Sequence, residues 1–141
     1  MQVVMGTLNG VWLSNILMQS IASCKLIRAA VAYAQAGNPL FEHCKRNEVR
    51  LIYYGLLDQD GAVPTNLLVD FLLQGPSRVD CWLVNGHFHP KVIWWHGCGA
   101  YIGSANLTHA AWFNNVECGV FYEESELAAL GIGPELDQLF V

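Results

Sequence analysis

Short runs of β-branched and apolar residues alternate with helix-period segments along this chain, and glycine, proline or aspartate closes most of them. That alternation commits the chain to a sheet with helices packed on it, since each strand-length run needs cover that the segments between can supply. Val11 to Ala22 spaces Val11, Leu13, Ile16, Leu17 and Ile21 near the helical period, with Ser14, Asn15, Gln19 and Ser20 opposite. Lys25 to Tyr33 reads as a buried strand, and Asn38-Pro39 as a cap and first helical position opening a helix to about Arg46. A strand from Val49 to Tyr54 ends at Gly55, Asp58-Gln59-Asp60-Gly61 turns, and Pro64 opens a helix that stops at Gly75-Pro76. Strands follow at Arg78–Val84, Lys91–Trp95 and Ala100–Ile102, with turns at Gly86 and Gly97-Cys98-Gly99. A short helix Leu107–Phe113, a strand Val116–Tyr122 and an acidic, piecewise helical end complete the pattern. Helices between early strands and hairpin-like strands later predict an α/β fold, a mixed sheet flanked by helices on both faces.

With 141 residues, 53% of them apolar, the chain matches one ordinary domain spanning 1–141 and excludes a disordered linker. The richest apolar stretch, Leu26 to Ala34, is broken by Arg28 and falls short of a membrane span. The first residues lack a signal peptide's basic and apolar regions. The apolar end, Leu139-Phe140-Val141, suggests a domain cut from something longer or a terminus packed on a partner. Five cysteines, odd in number and without a C-x-x-C pair, argue against a zinc knuckle and for a reducing, cytoplasmic setting. The net charge of −5 is uneven: residues 117–141 hold six acids and no Lys or Arg. That balance argues against sequence-indifferent wrapping of nucleic acid but not against a site for one phosphate. Lys25, Arg28, Lys45, Arg46, Arg50 and Arg78 are candidates for a modest basic rim.

Chemistry concentrates between His87 and Thr108. His89 and Lys91, two apart on a strand, would share a face, and the glycine turn would return Gly103-Ser104-Ala105-Asn106 beside them. An imidazole, an ammonium, a hydroxyl and a carboxamide in one small volume suit a phosphoryl group, whose oxygens need charge and donors while one atom attacks.

His89-x-Lys91, four residues, His96, six residues, Gly103-Ser104-x-Asn106 resembles the signature of the phospholipase D superfamily, with Asn115-Val116-Glu117 similar to its downstream strand. The clear resemblance covers about residues 78–122. It implies a phospholipase D-like fold with one motif copy per chain, and a metal-independent phosphodiesterase without a cofactor. His89 would be the nucleophile forming a phosphohistidine; Lys91, Ser104 and Asn106 would bind the phosphate; Glu117 would orient an imidazole. The superfamily commonly has aspartate at the position of His96, which strand parity puts on the face opposite His89. The mechanism needs a second histidine, and His43-Cys44-Lys45, the other His-x-Lys, has no Gly-Ser at the matching distance and reads as a solvated helix face. A homodimer sharing one active site at its dyad is therefore expected, with nucleic acid as substrate in the manner of the superfamily's single-motif nucleases.

Other readings stand beside it. His87, His89, His96 and His109 suggest a metal site but lack convincing Cys or carboxylate ligands. Asn106 taken alone is a helix cap, Ser104 a turn former, and Trp94, Trp95 and Trp112 are core or interface residues. A phospholipid or other phosphodiester hydrolase, and an inactive phospholipase D-like binding or dimerisation module, are the competing functions.

Overall fold

The computed structural model describes residues 1–6, 12–20 and 23–141. Its described strands are β1 (Gln2–Met5), β2 (Leu26–Val31), β3 (Arg50–Leu57), β4 (Val79–Asn85), β5 (Lys91–Trp95), β6 (Gly99–Gly103) and β7 (Cys118–Glu123). They form one mixed sheet in the order β1-β7-β6-β5-β2-β3-β4. β2, β3 and β4 run parallel, and the remaining pairings are antiparallel. The helices are α1 (Trp12–Ser20), α2 (Pro39–Arg46), α3 (Thr65–Gln74), α4 (Glu124–Ala129) and α5 (Ile132–Asp137). Of the expected first helix, Val11, Ile21 and Ala22 lie outside the described residues.

Strand alternation divides the core between the two faces. Ile27, Ala29 and Val31 of β2, Leu51 and Tyr53 of β3, and Ile93 and Trp95 of β5 meet Leu13, Leu17, Leu40, Phe41, Leu67 and Phe71 from α1, α2 and α3. The intervening residues Val92, Trp94 and Ala100 face Leu127 of α4 and Leu136 of α5. Helices thus cover both faces, as the pattern of the chain implies. Trp94, Trp95 and Trp112 are all buried.

Capping sets the turns. Asn38 Oδ1 accepts from Leu40 N–H at 3.0 Å, with Pro39 at the first position of α2, and Gly75 ends α3. Three expectations need correction, and one strand was not expected. β3 does not stop at Gly55: parallel pairing continues to Leu57, and the glycine is there because a Cβ would lie 2.5 Å from Tyr53 Oη. β1 lies antiparallel along β7, a mostly exposed strand of four residues too short and too little patterned to read from the chain. Residues expected as an ordinary helix at Leu107–Phe113 instead form a π-helical turn over Ala110–Asn114, closed by Asn115 N–H to Ala110 C=O at 2.7 Å. His43 and Cys44 are buried on α2, with only Lys45 of that triplet at the solvated face, because α2 turns its His43 side toward the body of the protein.

Candidate active site

The register gathers one end of the sheet. Val31 at the close of β2 pairs with Lys91 at the start of β5, and Gly103 at the close of β6 pairs with Gly119 at the start of β7. The loops that leave these strands carry the candidate residues to that end.

His89 stands in the loop before β5 rather than on the strand, since Pro90 withholds an N–H and the ladder begins at Lys91. It still has Lys91 beside it, whose Nζ donates to the His89 carbonyl at 3.1 Å. The His89 ring is exposed and meets Tyr33 edge-on, with centroids 5.5 Å apart. Tyr33 is the residue that sequence reading missed. Its backbone N–H donates to Asn106 Oδ1 at 3.4 Å, and its carbonyl accepts from Leu107 N–H at 3.0 Å. With Oδ1 so engaged, the Asn106 amide keeps its two N–H donors for another acceptor.

Ser104, Asn115 and Glu117 make a second group. Ser104 Oγ donates to Glu117 Oε2 at 2.5 Å and accepts from Cys118 N–H at 3.0 Å, and Asn115 Nδ2 donates to Glu117 Oε1 at 3.3 Å. Both Glu117 oxygens are thus engaged. Glu117 precedes β7, which starts at Cys118 rather than Val116. Ser104 and Asn106 belong to one loop and join the two groups. Tyr101 fixes its start: its hydroxyl accepts from Ala105 N–H at 3.2 Å and donates to Cys118 C=O at 3.4 Å. Burial pushes the Tyr101 phenol up to about 12, so it stays protonated for that donation. Among the described residues no three His, Cys, Asp or Glu side chains cluster as metal ligands, and no helix is long and apolar enough to cross a membrane.

His96 lies at the other end of β5, roughly 16 Å from Lys91 at about 3.3 Å per residue. Its Nε2 accepts from Arg28 Nε at 2.7 Å, and its ring stacks on Trp94. Arg28 also bonds Asp137 at 2.5 Å and lies over the rings of Trp94 and Phe140. Glu124 accepts from Trp94 Nε1 and Gly97 N–H. These bonds hold the acidic C-terminal segment against the sheet at this far end. Lys25, Arg50 and Arg78 also stand at or beside the starts of β2, β3 and β4, so the cations expected as a rim lie opposite Lys91. Burial, then the Arg28 charge, lowers the His96 pKa, against smaller opposing effects of Glu124 and Asp137. The folded form therefore binds this proton less well than the unfolded chain. Stability contributed here is full above the ordinary histidine value and falls as pH drops below it. Thermal melts should show Tm falling from pH 7.5 to pH 5, with a smaller fall in His96→Gln; equal falls in both would discount His96.

The family model for the cardiolipin synthase PLD-like domain matches residues 17–131. Among solved structures, the phospholipase D family member Nuc from Salmonella typhimurium is 21% identical, with TM-score 0.65 over 96% of this chain and 92% of that one. NucT from Helicobacter pylori is 15% identical, with TM-score 0.66 over 99% and 98%. The phosphatidylserine synthase of Haemophilus influenzae is 16% identical, with TM-score 0.72 over 98% of this chain but 38% of that one. At these identities the likeness is one of fold. No curated protein matches the chain. The matched stretch takes in both groups at the site end of the sheet, and on that ground the chain belongs to the cardiolipin synthase PLD-like domain family of the phospholipase D superfamily.

Proposed function

We propose that the protein is a metal-independent phosphodiesterase cleaving DNA or RNA, with one active site completed at a homodimer dyad. The observation that carries this reading is the exposed His89 ring with Lys91 and the donor-bearing Asn106 tied to its surroundings through Tyr33. An imidazole nitrogen of one protomer attacks phosphorus as the bond to the leaving oxygen breaks. The partner's copy of His89 gives that oxygen its proton. Water then attacks the phosphohistidine, losing a proton to the same partner ring as the P–N bond breaks. Lys91 and Asn106 stabilise the charge growing on the non-bridging oxygens. Ser104 spends its proton on Glu117, so its part is to hold the loop and present the carboxylate.

A phospholipid substrate is the second reading. Among the described residues Lys91 is the one Lys or Arg at the site end of the strands and in the loops there, while apolar Leu57, Met5 and Val116 are exposed at the same end of the sheet. That fringe favours an apolar body, and single-stranded DNA against phosphatidylcholine vesicles, both in EDTA, separates the two.

The shared site makes a sharp prediction. Wild-type and His89→Ala chains unfolded together in equal amounts and refolded form dimers of which about one quarter carry two histidines. Activity per total protein should fall to about a quarter of the wild-type value. Half the activity would show that each chain works alone.

A further inference from the structure

The loop that carries His89 and the loop that carries Asn106 meet at one short segment, Ala32-Tyr33, just past the end of β2. Ala32 N–H donates to Pro90 C=O at 3.1 Å, which ties the segment to the residue after His89. The Tyr33 backbone bonds to the other loop, donating to Asn106 Oδ1 and accepting from Leu107 N–H. Its ring is half-buried. With Phe88, the residue before His89, it packs on a small cluster of Ala32, Leu56 and Ala62, separate from the two larger cores. The same ring meets the His89 imidazole with the two planes at 61°. Glu117, to which the resemblance gives the orienting of an imidazole, instead accepts from Ser104 and Asn115 within the chain. The neighbour against which the His89 ring rests is Tyr33.

We infer that Tyr33 is a positioning residue for the nucleophile: its ring holds the His89 imidazole in one orientation, while its backbone sets Asn106 in the same frame. The kinetic consequence rests on the phosphodiesterase reading; the hold on the ring does not. An imidazole on an exposed loop is otherwise free to turn about two side-chain bonds, and only part of that range aims a ring nitrogen at phosphorus. Fixing the ring raises the share of bound complexes ready for attack, which acts on kcat rather than on substrate binding. The hydroxyl has no part in this, so the aromatic ring alone carries the effect.

Tyr33→Leu keeps an apolar side chain over Ala32, Leu56 and Ala62, and leaves the backbone groups that bond Asn106 and Leu107. With bis-p-nitrophenyl phosphate in EDTA, its kcat should fall at least about tenfold while KM stays within about twofold of wild type. Tyr33→Phe keeps the ring and should recover most of that loss. A kcat in Tyr33→Leu within about twofold of wild type overturns the inference, as does a loss carried wholly by KM. A loss in Tyr33→Phe as deep as in Tyr33→Leu also overturns it, since the hydroxyl would then take part in the chemistry. In the wild-type protein, NMR should show nuclear Overhauser contacts between the Tyr33 ring protons and the His89 ring protons. Their absence overturns the hold on the ring without recourse to any variant. A wild type that shows these contacts but cleaves no phosphodiester rejects the catalytic reading and leaves Tyr33 holding the imidazole.

Discussion

His89→Ala should abolish phosphodiester cleavage, lowering kcat/KM by at least about 10³-fold, while Tm stays within about 2 °C of wild type. The two halves of that result come from one placement. The ring is exposed in the loop ahead of β5, with Tyr33 the aromatic neighbour against which it rests. Truncation there opens no core cavity, and surface changes of this kind fall within about 0.5 kcal/mol. The catalytic loss is large because the attacking nitrogen itself is removed, and His96 cannot stand in for it from the far end of β5, where Arg28 holds it. His87 lies in the same loop, two residues before it. His87→Ala is therefore the control and should retain most of the activity. Measured in EDTA with bis-p-nitrophenyl phosphate and with single-stranded DNA, residual His89→Ala activity above about a tenth of wild type would remove His89 as nucleophile. Activity in wild type that needs an added divalent ion would remove the phosphohistidine route itself.

The strand core of this fold was legible because its signals are local. Lys91–Trp95 is a β-branched and aromatic run bounded by Pro90 and the glycine turn, and it forms at those limits. Asn38-Pro39 carries its own capping chemistry, and α2 begins there. Gly55 misled because a glycine serving a close approach looks, in sequence, like one serving a stop. β1 was silent because its four residues owe their conformation to pairing with β7, a tertiary contact without local pattern. At the site, spacing proposes His89, Lys91, Ser104, Asn106 and Glu117 as candidates, but not their division into two groups at one end of the sheet. Strand parity put His89 on a strand it only precedes. Tyr33 stands 56 positions before His89 and enters through the parallel bridge of Ala34 to Leu107, which a linear motif cannot express. The basic residues show the limit most plainly. Their number suggested a rim, but α2 runs back along the sheet and carries Lys45 and Arg46 toward the starts of the strands, away from Lys91.

Gly103→Ala should lower Tm by about 10 °C and also reduce turnover, although the change adds one methyl group. A Cβ at this position would lie 2.3 Å from Tyr101 Oη and 2.6 Å from the Cys118 carbonyl oxygen. The second contact is with backbone in the neighbouring strand, since Gly103 pairs with Gly119 next to Cys118, so it cannot be relieved by a side-chain rotation. Overpacking of this kind costs about 1–3 kcal/mol. At roughly 3–4 °C per kcal/mol for a domain of this size, the upper part of that range gives the expected shift. The strands must separate or Tyr101 must leave, and either movement disturbs the hydroxyl that accepts from Ala105 N–H and the Cys118 backbone that bonds Ser104. Ser104 and Asn106 would shift with their loop, weakening the hold on the phosphate as well as the fold. The glycine of the Gly-Ser pair thus has a steric reason to be there, independent of any contact with substrate. A Tm within 2 °C of wild type would mean that β6 and β7 give way at this point, and the loop would then owe its position to Tyr33 rather than to Tyr101.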